Sequence, residues 1–416
     1  MSVDAVTPGS RDAGLEGESQ SLVEGVGGVF APAATDSTPL HKPRRMHYGD
    51  AIRILGTVAV VIGHIADMRL FSAKVLDRDW WVCNAWDALT RWAVPCYIML
   101  SGALLLDPAK AEEPQHFYRK RLARLGVPLI FWTAVFMWFG VEYTGWINRD
   151  GKPSWAEAFR LLALGKPYTH LHFMFRIAGL YFFTPMFRVW LKHSPRNMQW
   201  AAAIVALTLA AGDNTANAIT NNELTVFMRF VPFIGYYLLG YLLRDTVVSS
   251  RGLVWSWVGF IASYLVLMLG TGLTVKLFHE PGTWLKGPPS LEMLQYDFLS
   301  PIRILMAICA WLIFVKMFHQ PWPRTDKARK AVAWWASTTL GLYLIHPLFR
   351  EILYLGKLEI PWIHGWKVLW SRQPGFGPDS PNIWIGIPLT ALLVYTVSLV
   401  VTGVIMKIPY VRRIAG

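Results

Sequence analysis

Residues 50–70 read DAIRILGTVAVVIGHIADMRL. Most of its side chains are apolar, and it is as long as the roughly 20 residues that a helix needs to cross a bilayer. Yet it also carries Arg53, His64 and Asp67. Ionisable groups inside a membrane face the protein interior or a wet cavity by default. The stretch therefore predicts a membrane helix that carries charged side chains to a functional site.

The rest of the chain has the same apolar character. Of its 416 residues, 54% are hydrophobic and 16% are charged, whereas soluble domains average about 25% charged residues. The composition predicts an all-α fold, a polytopic transmembrane helical bundle of about ten spans. We place these spans at about 51–70, 82–106, 124–141, 171–191, 199–212, 226–243, 254–276, 298–318, 332–355 and 383–406.

The net charge of +13 comes mostly from Lys and Arg that flank the apolar runs. This pattern orients helices in a membrane, and no nucleic-acid-binding motif accompanies it, so we expect no nucleic acid partner. The basic connecting segments alternate as an even number of spans requires, which predicts that both termini face the cytoplasm. The three cysteines are too few and too widely spaced to predict a disulfide framework or a metal site.

Three regions follow from the composition. Residues 1–47 are rich in Gly, Ser, Ala and acidic side chains and are predicted to be a disordered N-terminal tail with a basic juxtamembrane end. Residues 48–410 form the predicted transmembrane domain. Residues 411–416 are a short C-terminal tail.

Arg53 and His64 share one face of the first predicted helix. They are eleven residues apart, which at about 100° per residue is three turns plus about 20°, and about 16 Å along the axis. The small residues Gly56 and Gly63 lie near the same stripe and predict room for a slender group. Asp67 lies on it too, where it pairs with Arg69 or orients His64.

This geometry suits a long substrate with an anionic head and a reactive end on a thin arm. Acyl-coenzyme A has that shape: its phosphates would meet arginines and its thioester would reach His64. A neutral imidazole there can take a proton from an attacking hydroxyl. The alternative for Arg53 is that its side chain extends to the lipid headgroups.

Five segments of the chain form an ordered set of motifs. They are the Arg53-x10-His64 pair, FYRKRLARLGVPLIFW (117–132) with Arg121 and Arg124, HLHFMFRIAGLYFFTPMF (170–187), FIGYYLLGYLL (233–243) and STTLGLYLIHP (337–347). In this order they resemble the membrane-bound acyltransferase-3 family, which includes bacterial polysaccharide O-acetyltransferases. The chain resembles the form without an attached hydrolase-like domain. One departure is His172, where the family usually has tryptophan.

The resemblance implies an enzyme that transfers an acyl group, by family default acetyl, from cytoplasmic acyl-coenzyme A to a hydroxyl of a surface polysaccharide or its lipid-linked precursor. Arg53, Arg121 and Arg124 would hold the donor phosphates. His64 would be the base or would carry the acyl group covalently. No tightly bound cofactor is implied. The implied location is the bacterial inner membrane, with membrane lipids and polysaccharide biosynthesis proteins as partners.

Three further residues are candidates for acceptor binding or support. His346 precedes Pro347 in the ninth predicted span, where it either takes a direct role or belongs to a proline kink. Tyr343 lies one turn earlier. His170 lies at the outer mouth of the fourth span, where it contacts an acceptor or is an ordinary interfacial histidine. A different class also fits polar groups inside ten spans: a non-enzymatic exporter or flippase of a surface polysaccharide.

Overall fold

A computed structural model describes most of the chain beyond the N-terminal tail. The predicted disordered tail lies outside the described residues except for its last two, Met46 and His47. The described residues are 46–70, 73–110, 112–145, 147–149, 151–220, 229–278, 294–355 and 382–416.

The described part of the chain is mostly helical. A two-stranded antiparallel hairpin, β1 Asn148–Arg149 with β2 Lys152–Pro153, is a small departure from the predicted all-α fold. Short π-helical and 3-10 turns connect or extend the helices. The α-helices are α1 His47–Leu70, α2 Arg78–Thr90, α3 Ala93–Leu105, α4 Pro114–Arg121, α5 Val127–Trp138, α6 Trp155–Ala163, α7 His172–His193, α8 Arg196–Thr220, α9 Ile234–Leu242, α10 Ser250–Phe278, α11 Pro301–Met317, α12 Asp326–Leu355 and α13 Ile383–Ile405.

Every predicted span overlaps a helix, but in the described residues five helical segments are long and apolar enough to cross a membrane. The other helices are shorter, as α9 is, or carry charged residues, as α12 does in its first turn. The count of about ten spans and the cytoplasmic termini therefore stay predictions. The five segments are His47–Leu70, Arg78–Leu105, Pro114–Tyr143, Ser250–Lys276 and Ile383–Ile405.

Helix α1 lies at the centre of the bundle, in contact with α2, α3, α11, α12 and α13. Its small residues let these neighbours approach closely, as is usual for helices packed in lipid. A β-carbon built at Gly63, for example, would lie 2.7 Å from the Thr90 hydroxyl oxygen on α2. The central position of α1 explains why its charged side chains meet residues from several other helices.

Helices α3 and α9 touch through their backbones. A β-carbon built at Gly102 would overlap the carbonyl oxygen of Tyr237, and one built at Gly240 would overlap the carbonyl oxygen of Met99. Tyr237 and Met99 are themselves fully buried. The two glycines therefore set the distance between the two helices.

The C-terminal tail predicted at residues 411–416 packs onto the bundle. Val411–Ile414 forms a 3-10 turn, and the indole nitrogen of Trp132 on α5 donates a hydrogen bond of 2.9 Å to the Ile414 carbonyl. Ala415 is buried. Residues 411–416 thus pack beside α5.

Candidate functional site

Three histidines from different parts of the chain meet inside the bundle. His64 on α1 stacks on His346 of α12, with ring centroids 5.4 Å apart and 28° between the ring planes. His170, just before α7, approaches His346 edge-on at 5.8 Å. Within the described residues, no three His, Cys, Asp or Glu side chains are placed to hold a metal ion. We call His64, His170 and His346 the histidine cluster.

Tyr343 and aromatic rings hold His170 in place. The Tyr343 hydroxyl on α12 donates a hydrogen bond of 2.6 Å to the His170 carbonyl oxygen, which ties the start of α7 to α12. Phe136 of α5 packs edge-on against the His170 ring at 4.7 Å and stacks on Tyr168 at 4.6 Å. His170 is buried inside the protein.

Several ring nitrogens of the cluster have unused hydrogen-bonding capacity. His346 Nδ1 lies 2.7 Å from the Tyr343 carbonyl oxygen, so Nδ1 carries the proton and Nε2 keeps a lone pair. Neither that Nε2 nor either ring nitrogen of His170 has a hydrogen-bond partner in the part of the chain that the structure describes. Because buried polar groups are normally paired, these nitrogens indicate a place for a polar ligand.

Asp67 links His64 to a charged group that the sequence did not predict. Its carboxylate lies 3.8 Å from His64 Nδ1 and accepts a hydrogen bond of 3.2 Å from Arg91. Arg91 also donates to Asp87, which is buried. Of the two predicted options for Asp67, the structure places it beside His64, while Arg69 donates to Asp79. Asp87 and Arg91 lie four residues apart inside an apolar run. This spacing could have predicted an ion pair within the helix bundle.

A second charged pair adjoins the cluster on α12. Arg350 is buried, lies one turn beyond His346 and forms an ion pair with the neighbouring Glu351. Its Nε has no hydrogen-bond partner among the described residues. In the sequence, adjacent Arg350 and Glu351 follow the His346-Pro347 motif by a few residues, and this pattern could have predicted the ion pair.

At the other end of the α1 stripe, Arg53 opens onto a cavity of about 750 Å³. Arg53 donates a hydrogen bond of 2.9 Å to Asp50, and about a third of its side chain is exposed. Four cationic and three acidic side chains line the cavity, which leaves a surplus of positive charge. They are Arg53, Lys110, Arg244 and Lys316 with Asp50, Asp107 and Asp245.

The sequence missed most of these cations. Lys110 lies in the loop between α3 and α4, where burial lowers its pKa below the usual lysine range. Lys316 lies in the last turn of α11. Arg121 and Arg124, which the family resemblance assigned to the donor, are not among the lining residues. Arg121 packs over the Phe117 ring at 5.3 Å, and Arg124 is exposed.

The predicted room between Arg53 and His64 is filled. Tyr97 of α3 lies against Gly56, where a β-carbon would come within 3.0 Å of its ring and hydroxyl. The Tyr97 hydroxyl lies 2.7 Å from the Thr57 hydroxyl and donates to the Arg53 carbonyl oxygen at 3.0 Å. The glycines of the stripe therefore serve close helix packing. Side chains of α2 and α3 occupy the space beside these glycines. The sequence of α1 alone cannot predict this, because the occupying residues come from other helices.

The sequence model of one protein family, described as an acyltransferase domain, matches residues 46–407. The chain belongs to the acyltransferase-3 family. This confirms the resemblance seen in the five motifs. Comparison with curated proteins and with solved structures finds no match. Family membership and the five apolar segments together indicate a multi-pass membrane acyltransferase.

Proposed function

We propose that this acyltransferase-3 protein is an O-acyltransferase of the bacterial inner membrane. It moves an acyl group, acetyl in the simplest case, from acyl-coenzyme A to a hydroxyl of a surface polysaccharide or its lipid-linked precursor. The donor is a co-substrate, and no cofactor is bound tightly. Membrane lipids surround the protein, and polysaccharide biosynthesis proteins supply the acceptor.

One observation carries this proposal. A cavity with surplus positive charge and a cluster of incompletely hydrogen-bonded histidines lie at the two ends of one face of α1. Arg53 and His64 mark those ends, about 16 Å apart by the rise of an α-helix. This separation suits a donor whose phosphates and thioester stand at opposite ends of a flexible arm. Because the Tyr97 side chain fills part of the stripe between Arg53 and His64, the arm has to displace it.

The cavity residues have the chemistry to hold phosphates. Arg53, Lys110, Arg244 and Lys316 supply donors to anionic oxygens. Arg121 lies close enough to act electrostatically on Lys110 and adds to the positive potential at this end. Arg124 is exposed, and its part in donor binding stays a prediction.

The histidine cluster has the chemistry for acyl transfer. An imidazole nitrogen of His64 takes the proton of the acceptor hydroxyl as its oxygen attacks the acyl carbon. The thiolate of coenzyme A then leaves and takes a proton, which the His64 imidazolium supplies. Asp67, beside Nδ1, stabilises the imidazolium that forms. In the covalent alternative, His64 first attacks the acyl carbon, releases the thiol and then passes the acyl group to the acceptor.

The test uses purified full-length protein in lipid nanodiscs with radiolabelled acetyl-coenzyme A and the host glycan. We expect His64→Ala to lower transfer by about 10²–10⁴-fold, the usual contribution of a general base. His193→Ala is the matched control, because His193 is exposed near the far end of α7. Undiminished transfer by His64→Ala would refute the assigned role.

A deletion strain separates this enzyme from an exporter. Surface glycan that is present but lacks acyl groups supports acyl transfer. Surface glycan that is lost, with its acyl groups intact inside the cell, supports export.

A further inference from the structure

Arg176 on α7 lies between two aromatic rings beside the histidine cluster. Its guanidinium carbon is 4.5 Å from the ring centroid of Phe233 and 4.5 Å from that of Phe298. The ring of His172, one turn earlier, packs edge-on against Phe298 at 5.6 Å. We call Arg176, His172, Phe233 and Phe298 the arginine pocket.

The guanidinium of Arg176 lacks the hydrogen bonds that it can make. Its Nε and Nη1 are buried and have no partner among the residues that the structure describes. A guanidinium stays charged and carries five N–H donors. Stacking on aromatic faces offsets part of the cost of burying this charge, but it leaves those donors unused. The missing partner is a group that accepts hydrogen bonds. An anion fits best, because it also neutralises the charge of the guanidinium.

Neighbouring charges do not cancel that of Arg176. Arg303 also stacks on Phe298, at 3.9 Å, and donates to the carbonyl oxygens of Arg91 and Tyr296, which carry no full charge. Asp297 is a nearby carboxylate and accepts a hydrogen bond from the Leu299 backbone. Within the described residues, Arg176 forms no ion pair with Asp297 or any other carboxylate. The pocket therefore favours an oxyanion.

The arginine pocket lies at the end of α7 where the acceptor would arrive. His170, two residues before His172, contacts His346 of the histidine cluster. Further along α7, Arg188 donates to the backbone of Leu105 and Lys110 and so marks the cavity end. Arg176 and Arg188 are about 18 Å apart by the helical rise. The pocket is thus close to the acyl-transfer end and far from the donor cavity.

We propose that Arg176 binds an oxyanion on the acceptor, which makes the acceptor an acidic molecule. The proposal rests on the proposed function. Two sources share this chemistry: the carboxylate of an acidic sugar and the phosphate of a lipid-linked sugar. The planar guanidinium can hold either through two parallel hydrogen bonds. Phe233 and Phe298 offer apolar faces for the C–H side of a sugar ring.

The test measures binding of two oligosaccharides to the full-length protein in nanodiscs of zwitterionic lipid. One contains hexuronic acid. The other is the same molecule after each carboxylate is reduced to a hydroxymethyl group. We expect the acidic oligosaccharide to bind about tenfold more tightly, which corresponds to about 1.4 kcal/mol. Pyrophosphate, at constant ionic strength, is the probe for the lipid-linked source.

Arg176→Gln should abolish the preference for the acidic oligosaccharide or for pyrophosphate, and Arg176→Lys should retain part of it. Lys192→Gln is the matched control, because it removes a positive charge from an exposed position on the same helix. If Arg176→Gln does not fold, Arg176→Lys takes its place: a weaker preference in Arg176→Lys than in the unchanged protein supports the proposal, and an equal preference contradicts it. If pyrophosphate binds in an Arg176-dependent way and the two oligosaccharides bind equally, the oxyanion is the phosphate of a lipid-linked sugar.

Two outcomes separate this proposal from the acyl-transfer function. Equal binding of the acidic and the reduced oligosaccharide, with no Arg176-dependent binding of pyrophosphate, would overturn the arginine pocket even if acyl transfer proceeds. An Arg176-dependent preference for the acid, without any transfer from acetyl-coenzyme A, would support the pocket and reject the proposed donor chemistry.

Discussion

Replacing Gly102 or Gly240 by alanine should destabilise the protein, because the backbones of α3 and α9 touch at these residues. The added methyl group of Gly102→Ala would overlap the carbonyl oxygen of Tyr237, and that of Gly240→Ala would overlap the carbonyl oxygen of Met99. A backbone carbonyl inside a helix cannot rotate away as a side chain can. The two helices would have to move apart.

The structure sets the size of the effect. Overpacking in a close-packed interior costs about 1–3 kcal/mol, and a backbone clash belongs at the upper end of that range. Alanine is favoured over glycine in a helix by about 1 kcal/mol, which acts in the opposite direction. We therefore expect each variant to lose about 2 kcal/mol of unfolding free energy. The double variant should lose less than the sum, because one separation of the helices relieves both clashes.

The assay is equilibrium unfolding in mixed micelles with a rising fraction of denaturing detergent, followed by tryptophan fluorescence. Gly212→Ala is the matched control: Gly212 lies in α8, and nothing lies within 4 Å of a β-carbon built there. This control should be about as stable as the unchanged protein or up to about 1 kcal/mol more stable. The reasoning fails if Gly102→Ala and Gly240→Ala unfold at the same detergent fraction as Gly212→Ala.

Three further predictions concern the site. Asp67→Asn removes the charge beside His64 and should lower kcat of acyl transfer about tenfold, as loss of about 1.4 kcal/mol of stabilisation gives, with donor KM unchanged. Burial lowers the pKa of Lys110, so this side chain loses its proton and its charge at a lower pH than an exposed lysine does. Donor KM should therefore rise with pH, and the rise should begin below the pH at which an exposed lysine titrates. In Lys110→Arg, which keeps its charge, donor KM should not change with pH. The donor arm has to displace the Tyr97 side chain, which is held by a hydroxyl contact with Thr57. Tyr97→Phe removes that contact, so donor KM should fall about fivefold, the ratio for one hydrogen bond of about 1 kcal/mol; an unchanged or higher KM would contradict this.

The sequence predicted where helices form because their apolar runs are long and local. The first span was expected at 51–70, and α1 is His47–Leu70. The predicted span 82–106 is instead two helices separated by a turn at Arg91, whose side chain pairs with Asp67 and Asp87. Hydropathy along the chain does not show this break, because most residues on both sides of Arg91 are apolar.

The candidate site was predicted only in part, for a similar reason. The face shared by Arg53 and His64 follows from helical geometry. The contact of His64 with His346 joins residues 282 positions apart and depends on how α12 packs against α1. The cavity cations come from several helices and loops, so no single motif contains them. The glycines of the stripe were misread as free space because the helices that fill it are not visible in one segment.

Polar groups are paired in the cavity but partly unpaired in the histidine cluster, so binding at the two ends should respond differently to salt. In the cavity, Arg53 is paired with Asp50 and Arg244 with Asp107; Arg53, Arg244 and Asp107 are partly exposed, and Asp50 is nearly buried. Exposed pairs contribute little, so an incoming phosphate can replace these carboxylates at small cost, and its binding should weaken with salt. At the histidine cluster the unpartnered nitrogens are buried. There each new hydrogen bond satisfies a group that has no alternative, so selectivity for the acceptor should depend little on salt.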